Sequence, residues 1–383
     1  MRVLVCGWVG STNLGDELVF AGVRRLFAAQ DVNLRVVSVD PPATRRQHAT
    51  TAIDHRGLAD VARAARSADL VIFGGGGLVQ DETSPFNLPY HLGRVMPALR
   101  AGTPVVGLGL GIGPLHTALG HRLARSLRRF DALTVRDAAS LELLRQHGIS
   151  AELGADTAWH LAADAPQTAA GGHLGAAGAL DPRSQLEAQG WLNVCLRPWS
   201  GSRSGLLPVG WGRAAGQPDW FVPTLAAALD RTARRTGHRI RLVALQTDRD
   251  HDLHLEVAAA MTEPAEPVAP GLNQLLATVG AAEAVVAMRY HAGIAATMAH
   301  RRSVLIGYSP KVDALAGELG SGARRLRFDR DELAGLDDAV IGLLADTDAS
   351  AAVAAGRQRL VDRAAVNVTA LERIMDAVER QAR

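Results

Sequence analysis

The sequence predicts an α/β protein made of two doubly wound parallel-sheet domains that face a cleft. Short β-branched runs alternate with amphipathic segments along the whole chain, a pattern typical of buried parallel strands joined by helical crossovers. The length of 383 residues fits about two domains. An Ala/Gly-rich stretch at 165–182 has no periodic apolar residues and divides the alternation into halves. We therefore predict a first domain at 1–164, a linker or mobile loop at 165–190, a second domain at 191–349 and a C-terminal helix at 350–383 that can pack back on the first domain.

The elements of the first half follow from two kinds of apolar pattern. Short runs of β-branched and other apolar residues predict strands at 3–6, 34–39, 70–73, 105–108 and 132–135. Apolar residues at helical spacing between those runs predict helices at 16–29, 58–66, 119–129 and 138–147.

The second half repeats the same rhythm. Strands are predicted at 192–196, 240–245, 284–287 and 304–306, and helices at 222–235, 252–261 and 292–299. Ligands of open α/β sheets bind beyond the carboxyl ends of the strands. The candidate site residues are therefore sought in the loops that follow each strand.

Composition excludes several classes of function. A formal net charge of +2 gives no strong electrostatic field for nucleic acid, and the apolar runs are too short to cross a bilayer. Cys6 and Cys195 lie inside apolar runs and are expected to be reduced, buried thiols. No signal-peptide pattern, HExxH, paired CxxC or calcium-loop spacing occurs. We expect a cytoplasmic protein without a metal site.

Two glycine-rich loops follow strands of the first half. In "GWVGSTNLGDEL", Asn13 and Asp16 either bind sugar hydroxyls or form an ordinary turn and helix cap. In "GGGGLVQDETS", successive N–H groups at Gly75 and Gly76 can form an anion-binding nest. Because glycine loses the most conformational freedom on folding, ligand contact is favoured over a simple turn there. Gln80 and Asp81 add polar groups at the same rim.

In a third loop, the role of the glycines is not decided by the sequence. Glycines alternate at 107, 109, 111 and 113, which makes room for a close neighbour. The pattern does not decide whether that neighbour is a ligand or another part of the protein.

Arginines follow one strand in each half. Arg136 and Arg197 are each interpretable as a salt-bridge partner, or together as a clamp on an anion, because guanidinium forks match carboxylate and phosphate geometry.

The segment "MRYHAGIAATMAH" carries the most chemistry. Arg289, Tyr290 and His291 lie between a strand and a helix, whose positive end favours an anion. The alternative makes His291 a cap residue and Arg289 a surface charge. Lys311, the only lysine in the chain, follows the next strand. A compact ammonium can reach a phosphate where a planar guanidinium would collide.

Eight segments in order resemble the polysaccharide pyruvyltransferase family, most closely its CsaB-like branch. They extend from the first strand to about residue 320: "GSTNLGDE", "GGGGLVQDETS", "GLGIGPL", "LTVRDAASLELLRQHG", "GADTAWHL", "VCLRPW", "MRYHAGIAA" and "GYSPKVDAL".

The resemblance implies a GT-B-like fold and a metal-free transferase. Such an enzyme moves the enolpyruvate unit of phosphoenolpyruvate onto two hydroxyls of one sugar, leaving a cyclic ketal and phosphate. It further implies a lipid-linked cell-wall polysaccharide precursor as acceptor, S-layer anchoring by the product, at most peripheral membrane contact, and no cofactor besides the donor substrate. The alternatives are a nucleotide-sugar-dependent GT-B glycosyltransferase and a non-catalytic phosphoenolpyruvate-binding protein.

The resemblance also implies catalytic and binding roles for residues in the loops after the strands. A proton donor or acceptor with a pKa near neutral suits His291. The predicted catalytic residues are His291, Lys311 and Arg136; the phosphoenolpyruvate-binding residues are Arg289, Tyr290, Arg197, Gly75 and Gly76; and the acceptor-binding residues are Asn13, Asp16, Gln80 and Asp81.

Overall fold

The computed structural model describes residues 1–82, 84–165, 190–199 and 217–382. Within these residues the chain forms two compact units. Unit 1 contains Met1–Leu161 and Leu360–Arg383, and unit 2 contains Ala162–Trp199 and Gln217–Arg359. The predicted linker at 165–190 lies, apart from its first and last residues, outside the described residues.

Unit 1 is built on a sheet of seven parallel strands in the order β3-β2-β1-β4-β5-β6-β7. The strands are β1 (Arg2–Val9), β2 (Asn33–Ser38), β3 (Thr51–Asp54), β4 (Leu70–Val79), β5 (Val105–Ile112), β6 (Ala132–Val135) and β7 (Glu152–Leu153). The helices are α1 (Leu14–Leu26), α2 (Pro41–His48), α3 (Leu58–Ser67), α4 (Asn87–Ala101), α5 (Ala118–Ala124) and α6 (Ala138–Gln146), with 3₁₀ turns at Arg125–Arg129 and Thr157–Asp164.

Unit 2 contains a sheet of six parallel strands in the order β10-β9-β8-β11-β12-β13. The strands are β8 (Trp191–Cys195), β9 (Arg239–Val243), β10 (Ala265–Val268), β11 (Ala282–Ala287), β12 (Arg302–Gly307) and β13 (Ala323–Arg327). The helices, numbered over the described residues, are α7 (Phe221–Thr236), α8 (Thr247–Ala260), α9 (Leu272–Gly280), α10 (Tyr290–Met298), α11 (Pro310–Leu319), α12 (Arg330–Ala334), α13 (Leu336–Ala345) and α14 (Ala349–Ala382), with a 3₁₀ turn at Gly320–Gly322.

Both sheets have the doubly wound order, so the predicted fold class is confirmed. The strand order reverses between β1 and β4 in unit 1 and between β8 and β11 in unit 2. At such a switch point the loops on either side diverge, and a crevice forms beyond the carboxyl ends of the two strands. Each unit therefore has one favoured ligand position, and the candidate residues lie around both.

Three predicted strand ends were too early by three residues or more. β1 continues past Cys6 to Val9, and the two central strands that follow the switch point also extend further. β4 does not end at Phe73 but continues through the four glycines to Val79, and β5 continues past Leu108 to Ile112. The pairing of β4 with β5 becomes irregular between Gly76 and Val79. The glycines are therefore part of the strand rather than a loop after it, and the pairing is distorted only beyond Gly76.

The last helix, α14, has 34 residues, and from Leu360 onward it belongs to unit 1. There Leu371 and Met375 are buried in the same apolar cluster as Val3 and Leu70 of the sheet. Among the described residues, no single helix has both the length and the hydropathy of a membrane span, although the bent pair Leu336–Ala345 and Ala349–Gln381 meets those criteria jointly.

Candidate functional site

Four side chains meet beyond the carboxyl ends of β8 and β12 in unit 2. Arg197, two residues after β8, donates from Nη1 to the hydroxyl of Tyr308 at 3.0 Å, and its guanidinium carbon lies 4.9 Å from the centre of the Tyr308 ring. Lys311 Nζ lies 6.0 Å from the same centre. Trp199 packs against the phenol with ring centres 4.7 Å apart. The phenol is therefore held between two cations and an indole.

This surrounding positive charge changes the acidity of Tyr308. Burial alone raises the pKa of a phenol because it disfavours the anion. Here the charges of Lys311, Arg197 and Arg289, together with the Arg197 hydrogen bond, outweigh burial and lower the pKa of Tyr308 to about 8. The pKa shift indicates that the edge of the sheet favours negative charge. Tyr308 was not among the predicted site residues, although it belongs to the quoted segment "GYSPKVDAL".

Arg289 is the N-cap residue of α10 and is 8% exposed. Its Nε and Nη2 both donate to the carboxylate of Asp250, with Nε 3.0 Å from Oδ2, and Nη2 also donates to Gln246 Oε1 at 3.1 Å. Asp250 is fully buried. This bidentate pair fixes the guanidinium plane and does not use Nη1. Arg289 is thus neither a surface charge nor a cation without an internal partner.

His291 is the second residue of α10, directly after Tyr290, and both side chains are half-buried. Their ring centres lie 5.2 Å apart in an edge-to-face arrangement. β11 pairs with both β8 and β12. β11 therefore lies between the strand that precedes Arg197 and the strand that precedes Tyr308. His291 is in the first turn of α10, the helix that follows β11.

A second histidine in unit 2 lies beneath this edge. His254 is fully buried, one helical turn after Asp250 in α8. Burial lowers its pKa to about 4, against the raising effect of the nearby Asp250 carboxylate. His254 is therefore neutral at physiological pH. The acid and histidine cluster that starts α8 thus supports Arg289, and no group of three or more metal-ligating side chains is found among the described residues.

In unit 1, Asn13 and Asp16 lie together at the start of α1. Asn13 caps the helix by accepting from the Gly15 N–H at 3.2 Å, and its Nδ2 donates to Asp16 Oδ2 at 2.6 Å. The neighbouring Glu17 is fully buried and accepts from the N–H groups of Gly10 and Ser11 at 2.8 and 3.1 Å. Glu17 therefore fixes the loop before α1, a role that the acidic start of the helix concealed in the sequence.

Gly75 and Gly76 both have left-handed backbone, with φ of 52° and 78°. A side chain at Gly75 would collide with Val19, whereas the space at Gly76 faces Asp16, whose Oδ1 would lie 3.7 Å from a Cβ there. The structure thus places Asp16 beside the left-handed glycines across the β1–β4 switch point.

Gln80 and Asp81 follow β4, but Asp81 is engaged by the protein itself. It is 6% exposed, and its carboxylate accepts from the N–H groups of His116 and Thr117 at 2.6 and 2.8 Å and from the Thr117 hydroxyl at 2.6 Å. These bonds hold the loop after β5. Gln80 is half-buried, and its carbonyl accepts from Asn87 Nδ2.

Arg136 forms a buried ion pair. It is 5% exposed, and its Nη1 lies 3.0 Å from Oδ2 of Asp156, which is also buried. A Cβ at Gly111 would lie 2.5 Å from Arg136 Nη2, so the glycine of β5 provides the space for this guanidinium. The salt-bridge interpretation of Arg136 therefore has a definite partner.

The alternating glycines of β5 are explained by protein neighbours. A Cβ at Gly107 would collide with Leu133, one at Gly109 with the carbonyl of Ala155, and one at Gly113 with Leu143. The sequence did not decide whether a ligand or the protein lies beside these glycines. The structure shows protein atoms at each of these positions.

The predicted residues thus divide between the two sheets. Unit 2 gathers Arg197, Arg289 and Lys311 around Tyr308, with His291 at the next helix start; this set is the cationic edge. Unit 1 gathers Asn13, Asp16, Gly75 and Gly76 at its switch point, while Asp81 and Arg136 are engaged in internal contacts. An edge with three cations and an ionisable ring can bind a dianion and move a proton.

Solved structures with a similar fold include a sugar epimerase and a glycosyltransferase. HepE from Anabaena, in complex with UDP-glucose, superposes with a TM-score of 0.60 at 15% identity, covering 99% of this chain and 100% of that chain. A putative UDP-N-acetylglucosamine 2-epimerase from Listeria monocytogenes gives a TM-score of 0.58 at 11% identity, covering 92% and 90%. The calicheamicin glycosyltransferase CalG4 gives 0.51 at 16% identity, covering 99% and 97%. No curated protein matches the sequence.

The two doubly wound sheets and these neighbours place the chain in the class of GT-B-like α/β proteins, to which glycosyltransferases and sugar epimerases belong. Within that class, the sequence matches the family model "Polysaccharide pyruvyl transferase" over residues 13–310. The chain belongs to the polysaccharide pyruvyl transferase family and is a transferase.

Proposed function

We propose that the protein is a ketal pyruvyltransferase that uses phosphoenolpyruvate as donor and a polysaccharide precursor as acceptor. The family indicates pyruvyl transfer to a polysaccharide. The observation that carries the choice of donor is the cationic edge of unit 2, where positive charge lowers the pKa of Tyr308 despite its burial. Phosphoenolpyruvate carries a phosphate and a carboxylate, so it needs several fixed cations at one place.

The reaction that this donor implies balances without a redox step. Two acceptor oxygens form bonds to the enol carbon of phosphoenolpyruvate, and the bond from that carbon to the phosphate oxygen breaks. The acceptor hydroxyls lose two protons: one is added to the methylene carbon, which becomes the methyl group, and the other leaves with phosphate. The site must therefore bind both a phosphate and a carboxylate and transfer a proton to a carbon.

The residues of unit 2 suit these tasks. Lys311 and Arg197 bind the phosphate, because their cationic groups flank Tyr308, one from the start of α11 and the other from the loop after β8. Arg289 is oriented by Asp250 and has Nη1 available for a donor oxygen beyond that pair. His291 supplies the proton for the methylene carbon, since an imidazole can act as a general acid or base. Fixed cations also stabilise the charge that develops on the departing phosphate.

The acceptor is placed at unit 1 in this proposal. Asn13 and Asp16 offer an amide and a carboxylate for sugar hydroxyls beside Gly75 and Gly76. The ordered set of eight sequence segments supports a CsaB-like role, in which the acceptor is a lipid-linked cell-wall precursor at the inner face of the membrane. No resident cofactor is required in this scheme.

The decisive experiment measures phosphate release from phosphoenolpyruvate with a panel of acceptors. The panel contains methyl pyranosides, oligosaccharides and polyprenyl-diphosphate-linked disaccharides, and mass spectrometry identifies the ketal product. We expect release with at least one acceptor and an increase of product mass that matches one pyruvate ketal. His291→Ala should lower turnover about 10²–10⁴-fold, while phosphoenolpyruvate still binds by calorimetry.

The competing function is a nucleotide-sugar-dependent glycosyltransferase. HepE was crystallised with UDP-glucose, and a UDP-GlcNAc 2-epimerase from Neisseria meningitidis was crystallised with UDP-GlcNAc. A cationic edge also suits a diphosphate. The same panel, supplied with UDP-sugars instead of phosphoenolpyruvate, separates the two. Consumption of a UDP-sugar without phosphate release from phosphoenolpyruvate would overturn the proposal. Binding of phosphoenolpyruvate without turnover on any acceptor would instead indicate a non-catalytic binding protein.

A further inference from the structure

Trp8 is an exposed aromatic residue at a position where ligands bind. It lies near the carboxyl end of β1, one of the two strands at the switch point of unit 1, and is 37% exposed. The other large exposed apolar side chains of unit 1 lie at the starts of α3, α4 and α5, outside the β1–β4 switch point: Leu58, Phe86 and Leu119. Trp8 alone among these four side chains belongs to a switch-point strand.

The indole is held from one side by three other rings. Tyr90, His91 and His55 contact it edge to face, with centres 5.7, 6.1 and 6.5 Å away. His55 Nδ1 lies 2.6 Å from the Tyr90 hydroxyl, so these two supporting rings are also joined by a hydrogen bond. A ring with this support loses little further freedom when a ligand covers it.

A buried cation fixes the supporting rings. Arg94 is 5% exposed, and its guanidinium carbon lies 3.3 Å from the centre of the Tyr90 ring. It donates to the carbonyls of Tyr90 and His55 at 2.6 and 3.1 Å. Arg94 thereby ties α4 to the segment after β3, which are the two elements that carry the rings behind Trp8. The aromatic cluster is a built support rather than a single stray side chain.

A small hollow next to the indole is lined by residues of the switch point. Trp8 shares it with Val9, Asp16, Val19, Gly74 and Gly75. The hollow has a volume of about 10 Å³ and is too small to hold a sugar, but it shows that the exposed indole lies beside the carboxylate of Asp16. An apolar flat surface beside a carboxylate matches a sugar, which has C–H groups on one face and hydroxyls at its rim.

We propose that Trp8 stacks on one pyranose ring of the acceptor and that Asp16 accepts hydrogen bonds from its hydroxyls. The electron-rich face of the indole attracts the C–H groups of the sugar face, and the contact removes apolar surface from water. The inference rests on the proposed function for the identity of the ligand as the acceptor. It adds a binding residue that the sequence segments had left out of the site.

Saturation-transfer NMR without phosphoenolpyruvate tests this contact directly. Methyl β-D-glucopyranoside, methyl β-D-galactopyranoside and methyl α-D-mannopyranoside serve as probes, and sorbitol serves as a polyol that lacks a ring face. We expect saturation on the ring C–H protons of at least one pyranoside, and none on sorbitol. Trp8→Ala should raise the dissociation constant about tenfold, and Trp8→Phe should raise it about threefold or less.

Phe86→Ala is the matched control, because Phe86 is an aromatic residue of the same unit and is 59% exposed. It should leave the dissociation constant unchanged. Trp8→Phe keeps the test valid if Trp8→Ala fails to fold, since retention of binding by phenylalanine together with loss in Asp16→Asn also supports the site. Equal binding by wild type and Trp8→Ala, equal loss in Phe86→Ala, or no saturation of any pyranoside overturns the inference.

The outcome is distinguishable from that of the proposed function. Pyranoside binding that depends on Trp8, without any phosphate release from phosphoenolpyruvate, supports the sugar site and removes only the pyruvyl chemistry. Phosphate release with the same acceptor KM in wild type and Trp8→Ala supports the chemistry and removes only the stacking site.

Discussion

The acidity of Tyr308 depends on the positive charges around it. Its pKa is lowered to about 8, so the folded protein loses this proton while an ordinary tyrosine near 10 keeps it. Burial raises the pKa of Tyr90, which will therefore not titrate in the same range. With only three tyrosines in the chain, absorbance of the phenolate can resolve a single group.

We predict one tyrosine transition near pH 8 in a spectrophotometric titration. Tyr308→Phe should abolish it, and Arg197→Leu or Lys311→Met should move it upward, because each removes a positive charge that favours the phenolate. Since the folded-state pKa lies below the unfolded one, this group adds stability as pH rises from about 8 to 10 and loses that contribution below 8. A wild-type titration with no tyrosine ionising below pH 9 would contradict the prediction.

Lys311 gives a test of residue type rather than of charge. Lys311→Arg keeps the positive charge but replaces a compact ammonium with a broad guanidinium beside Tyr308. We expect turnover, measured as phosphate release, to fall about 100-fold, as when a donor to a developing oxyanion is lost. Arg63→Lys is the control for the reverse exchange at an exposed helix position and should be neutral. Wild-type turnover in Lys311→Arg would leave the single lysine without a functional reason.

Much of this chemistry could not be predicted from the sequence, because it depends on pairs that are distant along the chain. Arg289 and Asp250 are 39 residues apart, and Arg136 and Asp156 are 20 apart. The sequence identified the arginines after the strands but not the carboxylates that hold them. It also missed Tyr308, since an aromatic residue after a strand is equally consistent with simple packing.

The strands and helices were predictable where their apolar pattern was strong. The bounds of β6 were predicted exactly, and β11 was predicted with its correct end at Ala287 but with a start two residues too late. β3 (TAID) and β10 (AEPV) were missed because each contains an acid and few apolar residues, and both are edge strands. The extension of β4 through its glycines was missed because glycine has low strand propensity, which the pairing with β5 overrides.

Helix α14 is attached to unit 1 by a buried polar side chain. Asn367 is fully buried, accepts from the Thr134 hydroxyl at 2.6 Å and donates to the carbonyl of Ala155 at 2.9 Å. Asn367→Ala would remove the hydrogen bond that the Thr134 hydroxyl donates and the one that the Ala155 carbonyl accepts. We predict a loss of about 1–3 kcal/mol in the free energy of unfolding.

The measurement is urea unfolding followed by circular dichroism. Thr369→Ala is the matched control, because Thr369 lies two residues further along the same helix and is exposed. Its effect should stay within about 0.5 kcal/mol. Equal stability of the two variants would show that α14 is held by its apolar residues, such as Leu371 and Met375, and not by Asn367.

The two units present different functional groups, and in the proposed function each unit binds a different substrate. Unit 2 presents cations around an ionisable phenol, whereas unit 1 presents an indole, a carboxylate and left-handed glycines. Gly75 and Gly76 are the exception in this division, because they were predicted to bind phosphoenolpyruvate but belong to unit 1. A measurement that reports on each unit separately can decide their role.

Hydrogen–deuterium exchange with each ligand alone provides that measurement. We predict that phosphoenolpyruvate slows exchange after β8, β11 and β12 of unit 2, and that a pyranoside slows it at the β1–α1 segment of unit 1, because a ligand stabilises the conformation it binds. Arg197→Ala should abolish only the first effect and Trp8→Ala only the second. Protection of Gly75 and Gly76 by phosphoenolpyruvate would confirm them as donor-binding residues, whereas protection by the pyranoside would assign them to the acceptor. Protection of unit 1 alone by phosphoenolpyruvate would contradict the placement of the donor at the cationic edge.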